Sequence, residues 1–288
     1  MRAHRFPTLH TLMHGKAAYQ RIGLIGAGEM GSGIGGRLAA RGVDVRTTLV
    51  GRSAASAERI ERAGIGTVAD LASIARTCAL VLSIVPPDQA LGVAESFAAA
   101  YVPTATPPVF VDCNAVAPAT VLKIAAVLTA AGVHFVDAGI IGGPPADGYE
   151  GPKIYASGPH VAAFEVLNAH GLHVKPLDGP VGLASALKMC YGGLTKGMTA
   201  IGSAMFACAE DAGLRDALAA EFSGSQPALY VWLTRQIPTM FPKAYRWVGE
   251  MHEIATFGKD QPGVSAMYNG IADRYAAIAT EQTRKGTA

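Results

Sequence analysis

The chain has 288 residues, half of them hydrophobic and only 16% charged, with a formal net charge of +2. Such a balance suits one large or two moderate domains around an extensive core, and it excludes a nucleic-acid binder built on a basic stripe. No apolar run reaches the roughly 18 residues needed to span a bilayer. Nor do Cys78, Cys113, Cys190 and Cys208 show C-x-x-C spacing, so buried, reduced thiols in a cytoplasmic protein are expected.

Residues 1–19 are rich in basic and histidine residues, without acids and without the apolar stretch of a secretory signal; they are expected to be a disordered extension. The first element follows at once. Ile22 to Ile25 reads as a buried strand, and it runs into Gly26-x-Gly28-x-x-Gly31, after which small and apolar residues recur at helical spacing to Ala40. A glycine triplet alone is weak evidence. Here strand, turn and helix come in the order of a dinucleotide-binding unit, whose helix N-terminus offers free N–H groups to a pyrophosphate. Gly26, Ala27, Gly28, Glu29, Met30 and Gly31 are therefore candidate cofactor residues.

The next strand, Val43 to Val50, ends at Gly51-Arg52-Ser53, about 20 residues past the glycine turn, where the adenosine ribose is read. An acid there would accept from the ribose 2′-hydroxyl and repel a 2′-phosphate. The chain instead has Arg52 beside Ser53, with no acid before Glu58, which favours NADP(H) over NAD(H). The competing reading is an arginine that stacks on adenine or is simply solvated.

A helix over Ser56–Ala63, a strand over Gly66–Val68 and a helix from Leu71 capped by Asp70 follow. Ala79 to Val85 is an apolar run of the kind buried on both faces of a parallel sheet. It ends at Pro86, so Val85 and Pro86 should border the cofactor. Strands are predicted over Val109–Cys113, Val133–Asp137, Lys153–Ser157 and Val174–Leu177, and helices over Asp88–Ala100, Ala117–Ala131 and His160–His170. His170 and His173 straddle Gly171 with no third ligand at a matching spacing, and a metal is not expected there.

After Asp178-Gly179-Pro180 the pattern becomes wholly helical. Val181 to Gly213 predicts one long helix dense in small residues, buried on most sides by other helices or by a second subunit. Further helices are expected beyond it, broken at Gln226-Pro227, Ile237-Pro238, Phe241-Pro242 and Gln261-Pro262. The expected organisation is a dinucleotide-binding domain over residues 20–178 and a helical substrate and dimerisation domain over residues 179–288. Lys188 interrupts the long apolar helix, flanked by Ala186, Leu187, Met189 and Cys190. Two readings stand side by side: a proton donor to a carbonyl facing a cleft, or a lysine snorkelling at the rim of a helix bundle.

Four segments in order resemble the β-hydroxyacid dehydrogenase superfamily, which includes 6-phosphogluconate and 3-hydroxyisobutyrate dehydrogenases and the imine reductases. They are Gly26-x-Gly28-x-x-Gly31, Asp112-Cys113-Asn114-Ala115-Val116-Ala117-Pro118, Asp137-Ala138-Gly139-Ile140-Ile141-Gly142-Gly143, and Gly182 through Lys188. The resemblance implies an α/β fold, an N-terminal Rossmann-type doubly wound sheet with an all-helical C-terminal domain, a homodimer through the long helix and an active site in the interdomain cleft. It also implies that Lys188 is the catalytic lysine and that Gly142 and Gly143 are the glycines of the substrate loop.

Departures from the family pattern bear on the substrate. Asn114 and Ala115 replace hydroxyl residues, Ile141 replaces the serine before the glycine pair, and Tyr191 replaces an asparagine one turn after the lysine. Burying a carboxylate against Ile141 is unfavourable, so a less polar or differently anchored substrate is expected. The expectation is an NADP(H)-dependent oxidoreductase interconverting a β-hydroxy acid or related alcohol with its carbonyl, with decarboxylation as a branch. Asn114 also borders the cofactor; Asn114, Ala115, Ile141, Gly142, Gly143 and Tyr191 shape the substrate site. Imine reduction is the alternative within the superfamily, and a non-catalytic NADP-binding regulator the alternative outside it. The expected partners are a small-molecule substrate and a second copy of the chain, with neither nucleic acid nor a membrane.

Overall fold

The computed structural model describes residues 21–286, so the expectation for residues 1–19 lies outside the described residues. Those described fall into two compact units. One comprises the chain up to Asn114 together with Pro118–Ser185; the other comprises Ala115–Ala117 and the chain from Ala186 onward.

The first unit is a single eight-stranded sheet in the order β3-β2-β1-β4-β5-β6-β7-β8, parallel except between β6 and β7. Its strands are β1 Arg21–Ile25, β2 Asp44–Thr48, β3 Gly66–Val68, β4 Leu80–Ser83, β5 Val109–Asp112, β6 His134–Ile141, β7 Lys153–Ser157 and β8 His173–Pro176. Helices α1 Glu29–Ala40, α2 Ala54–Arg62, α3 Leu71–Thr77, α4 Ala90–Ala100, α5 Pro118–Ala130 and the short α6 Val161–Glu165 make the crossovers. The central strands are apolar on both faces because helices cover both: Ile22, Leu24, Leu80, Leu82, Val111 and Val136 are all essentially inaccessible. Strand order reverses between β1 and β4, which places a crevice beyond their carboxyl ends.

Local chemistry explains the helix starts. Asp70 caps α3 by accepting from the Ser73 amide at 2.8 Å, and Ser53 caps α2 by accepting from the Ser56 amide at 3.3 Å. Strand β6 runs four residues past the predicted end at Asp137. Antiparallel pairing with β7, from Asp137 opposite Ser157 to Ile141 opposite Lys153, extends it. Ile141 is therefore a strand residue rather than part of the glycine loop.

The long helix α7 spans Leu183–Asp211, and its first turn belongs to the first unit. The second unit adds α8 Arg215–Ser225, α9 Pro227–Met240, α10 Ala244–Phe257 and α11 Val264–Gly286. Met189, Met240, Met251, Ile254, Tyr275 and Ile278 form its core. The break expected at Ile237-Pro238 is absent: Pro238 lies inside α9, two residues from its end. The missing N–H gives up the hydrogen bond to the carbonyl of Thr234, and the backbone stays helical through Phe241. Cys78 and Cys113 are buried as expected, but Cys190 and Cys208 are exposed, because both lie on outward-facing parts of α7.

Candidate active site

The glycine turn is built by close backbone contact. Gly26 has φ +129°, and a Cβ there would lie 2.0 Å from the Ile84 carbonyl oxygen at the end of β4. A Cβ on Gly31 would lie 2.1 Å from the Gly26 carbonyl oxygen. No substituted residue fits either place. Gly28, the N-cap of α1, differs: its φ is −74° and, among the described residues, nothing lies within 4 Å of where a Cβ would stand. The turn thus needs two of its glycines to fold and leaves open space above the third, in front of the free N–H groups of α1. That space and those donors fit a pyrophosphate, and a side chain at Gly28 would occupy the same volume. Glu29 and Gly28 are exposed at the turn, Met30 is half-buried, and Ala27 is buried beneath.

Arg59, on α2, was not singled out by sequence reasoning. Its Nη1 donates to the Ala27 carbonyl at 2.8 Å, holding the middle of the turn from the neighbouring helix. The only signal was its position beside the buried Ile60 of an amphipathic helix. Arg59 and Arg62 line a cavity of about 370 Å³ with Glu29, Gly33, Pro144 and Pro145. Arg52 stands exposed after β2, without an ion-pair partner among the described residues, and Ser53 is committed to the α2 cap.

The loop after β6 is seated on α1. A Cβ on Gly33 would meet Pro145 Cδ at 3.0 Å and Pro144 Cβ at 3.2 Å, so this glycine allows the loop to approach. Arg37, one turn on, donates to the carbonyls of Tyr149, at 2.9 Å, and Glu150. Gly142 has φ +130° and packs under Tyr149 and Pro152. Gly142 and Gly143 are exposed and Ile141 is half-buried.

Between the two edges lies a buried polar network. The Asn114 carbonyl oxygen accepts from the Val85 amide at 2.7 Å, and its Nδ2 donates to Ser83 Oγ at 3.2 Å and to Asp112 Oδ1. The Asn114 side chain is thus spent inside the unit, tying β5 to the segment after β4 and fixing Val85; Pro86 beyond it is exposed. Asp112 and Asp137 are register partners on β5 and β6. Asp137 accepts from Ser157 Oγ at 2.9 Å, the Gly182 amide at 2.8 Å, the Ser185 amide at 3.1 Å and Ser185 Oγ at 2.6 Å. It therefore anchors the N-terminus of α7. Among the described residues Asp112 Oδ2 has no hydrogen-bond partner, and the carboxyl is pushed up to about 7, by burial first and by the charge of Asp137 second, against hydrogen bonds from Asn114.

In the second unit Lys188 is half-buried on α7, and Ala115 packs on the core that contains Met189. Tyr191 is 47% exposed and lines up with Leu194, Met198, Ile201 and Met205 along the outer face of α7. Sequence reasoning also missed a buried ion pair that α7 makes with α10. Lys196 forms an ion pair with Glu250 of α10, with side chains only 14% and 16% exposed. Lys196 Nζ also lies 5.1 Å from the Trp247 ring centroid. A lysine and a glutamate 54 positions apart carry no spacing signal.

Residues 21–169 match the family described as the NAD binding domain of 6-phosphogluconate dehydrogenase. The chain belongs to that family. The match places it in the β-hydroxyacid dehydrogenase superfamily, with a nicotinamide cofactor on the Rossmann unit. Residues 209–278 match a second family, a domain of unknown function called DUF1932. An uncharacterised 28.5 kDa protein of Methanothermus fervidus is 29% identical over 238 residues, covering 82% of this chain and 90% of that one. The 3-hydroxyisobutyrate dehydrogenase of Mycobacterium tuberculosis superposes with TM-score 0.69 at 18% identity, over 91% of this chain and 94% of that one. A reductive aminase from Aspergillus terreus, solved with NADPH and ethyl levulinate, superposes with TM-score 0.60 at 16% identity, over 90% and 97% of the two chains. At these identities the two structures share the fold. Among the described residues of this 6-phosphogluconate dehydrogenase-type chain no helix is long and apolar enough to cross a membrane.

Proposed function

We propose that the chain is an NADP(H)-dependent oxidoreductase that interconverts a β-hydroxy acid, or a related alcohol, with its carbonyl. The observation that carries the reading is the glycine turn: sterically closed at Gly26 and Gly31, open at Gly28 and held from behind by Arg59. A nicotinamide cofactor bound there supplies or takes the hydride. The backbone N–H groups of Gly28, Glu29 and Met30 hold the pyrophosphate, and Arg52 meets the 2′-phosphate with a charge-assisted hydrogen bond. Val85, Pro86 and Asn114 border the nicotinamide end.

Lys188 gives a proton to the carbonyl oxygen during reduction and takes it from the hydroxyl during oxidation. Where the product is a β-keto acid, the same ammonium polarises its carbonyl and favours loss of carbon dioxide. Ile141, at the end of β6, offers a carboxylate no hydrogen bond, which supports a substrate less polar than a small hydroxyacid. Gly142, Gly143, Ala115 and Tyr191 complete the substrate-binding set. We assign the working form as a homodimer, on the apolar stripe from Tyr191 to Met205 along α7.

The test is NADPH titration followed by a screen of aldehydes, keto acids and cyclic imines for loss of NADPH absorbance. Turnover of carbonyls that Lys188→Met abolishes, with cofactor affinity retained, is the expected result. Substantial residual turnover in that variant, or turnover of imines alone, favours C=N reduction, the second reading. Cofactor binding without turnover of any of the panel would make the chain a regulatory NADP-binding protein.

A further inference from the structure

The glycine loop between β6 and β7 is held from the helix that opens at the cofactor turn. Arg37, half-buried in the last turn of α1, donates through its two terminal nitrogens to the carbonyls of Tyr149 and Glu150. At the C-terminal end of a helix a basic side chain ordinarily complements the helix's own carbonyls, and this one is spent on a distant segment. The Glu150 carbonyl also accepts from Nε2 of His173, on β8, at 3.1 Å. Two glycines make room for the guanidinium and its stem. A Cβ on Gly151 (φ +103°) would stand 3.5 Å from Arg37 Nη1, and one on Gly171 (φ +81°) 3.5 Å from Arg37 Cδ.

The hold is relayed to the glycine pair. The Tyr149 amide donates to the Ala146 carbonyl at 3.1 Å, closing a turn, and the Tyr149 side chain comes back over Gly142. Its hydroxyl lies 2.6 Å from where a Cβ on Gly142 would stand. One residue thus has its carbonyl fixed by Arg37 and its side chain set against Gly142. On the other flank Pro144 and Pro145 follow the pair directly and rest on Gly33. The loop is therefore seated on α1 at two places, Gly33 and Arg37.

We infer that Arg37 is a positioning residue for the substrate loop, acting through Tyr149 to set Gly142 and Gly143 from the cofactor helix. The planar guanidinium makes its two bonds in a fixed fork; lysine, a single point charge on a flexible stem, replaces only part of that. The inference rests on Gly142 and Gly143 being substrate-binding residues. It does not require Arg37 to touch substrate or cofactor.

The test compares the full-length protein with Arg37→Met, Arg37→Lys and Gly33→Ala. Hydrogen exchange of the segment 142–152 is followed by mass spectrometry, NADPH affinity by titration, and kinetics on the aldehydes and keto acids that the wild type turns over. Arg37→Met should speed exchange in the loop by about tenfold or more, with the sheet and the melting temperature little changed. NADPH affinity should stay within about twofold. KM for the carbonyl should rise at least about fivefold, with kcat within about threefold. Arg37→Lys should recover part of both effects. Gly33→Ala favours the helix but crowds the two prolines, so it should loosen the same segment and raise KM while α1 stays folded.

A merely structural arginine would lower the melting temperature and leave KM unmoved. Unchanged loop exchange in Arg37→Met, or a released loop with unchanged KM, overturns the inference. A wild type that turns over none of the panel marks failure of the functional reading instead, and the exchange comparison then decides alone whether Arg37 anchors the loop.

Discussion

At the scale of single residues, the three glycines of the first turn separate folding from binding. Gly26→Ala should cost roughly 3 kcal/mol or more, because a positive-φ position must admit a Cβ 2.0 Å from a carbonyl oxygen. Gly28→Ala should change stability by no more than about 1 kcal/mol, yet weaken NADPH binding at least about tenfold by filling the pyrophosphate space. Thermal melts and cofactor titration of the two variants check this contrast. Arg52→Ala should weaken NADPH binding by about 10- to 100-fold and leave NADH nearly unchanged, the size of one or two charge-assisted hydrogen bonds; an unchanged ratio of the two affinities refutes the NADP assignment. Asp112 makes a pH prediction. Its folded pKa is raised, so its contribution to stability is full below about pH 4 and is lost as pH rises through about 7. Asp112→Asn should therefore gain on the wild type by up to about 4 kcal/mol between pH 4 and 8, measured by urea denaturation at each pH.

At the scale of elements, one carboxylate organises the start of the long helix. Asp137 receives four hydrogen bonds, three of them from Gly182 and Ser185 at the head of α7. Asp137→Ala orphans those donors and should destabilise the protein by about 3 kcal/mol or more, with hydrogen exchange rising first in the initial turn of α7. Asp137 was legible as a member of a family segment, but its capping role was not, since 45 residues separate it from Gly182. The length of β6 was hidden for the same reason: a strand's end depends on its partner, and β7 pairs with Ile140 and Ile141 from the far side of a loop. Pro238 misled in the opposite direction: α9 runs through it although the ring gives up the hydrogen bond to the Thr234 carbonyl, so the helix is retained against the local preference.

For the whole molecule, the outer face of α7 is the feature a single copy leaves open. Tyr191, Leu194, Met198, Ile201 and Met205 follow spacings of three and four, and each is 38% exposed or more. Replacing Leu194 and Ile201 together by glutamate should convert a dimer to a monomer in analytical ultracentrifugation while leaving the Rossmann unit folded; a dimer that survives this change would place its interface elsewhere. What the sequence determined by itself is what depends on neighbours along the chain: the strand–turn–helix at Gly26, the apolar runs of the parallel sheet, the helical second half and the oddity of Lys188 in an apolar helix. Only the tertiary structure brought Arg59 to the glycine turn, spent Asn114 on Val85 and set Glu250 against Lys196. These are polar contacts across tens of residues, made in a low-dielectric interior where geometry decides which charges meet, and periodicity carries no trace of them.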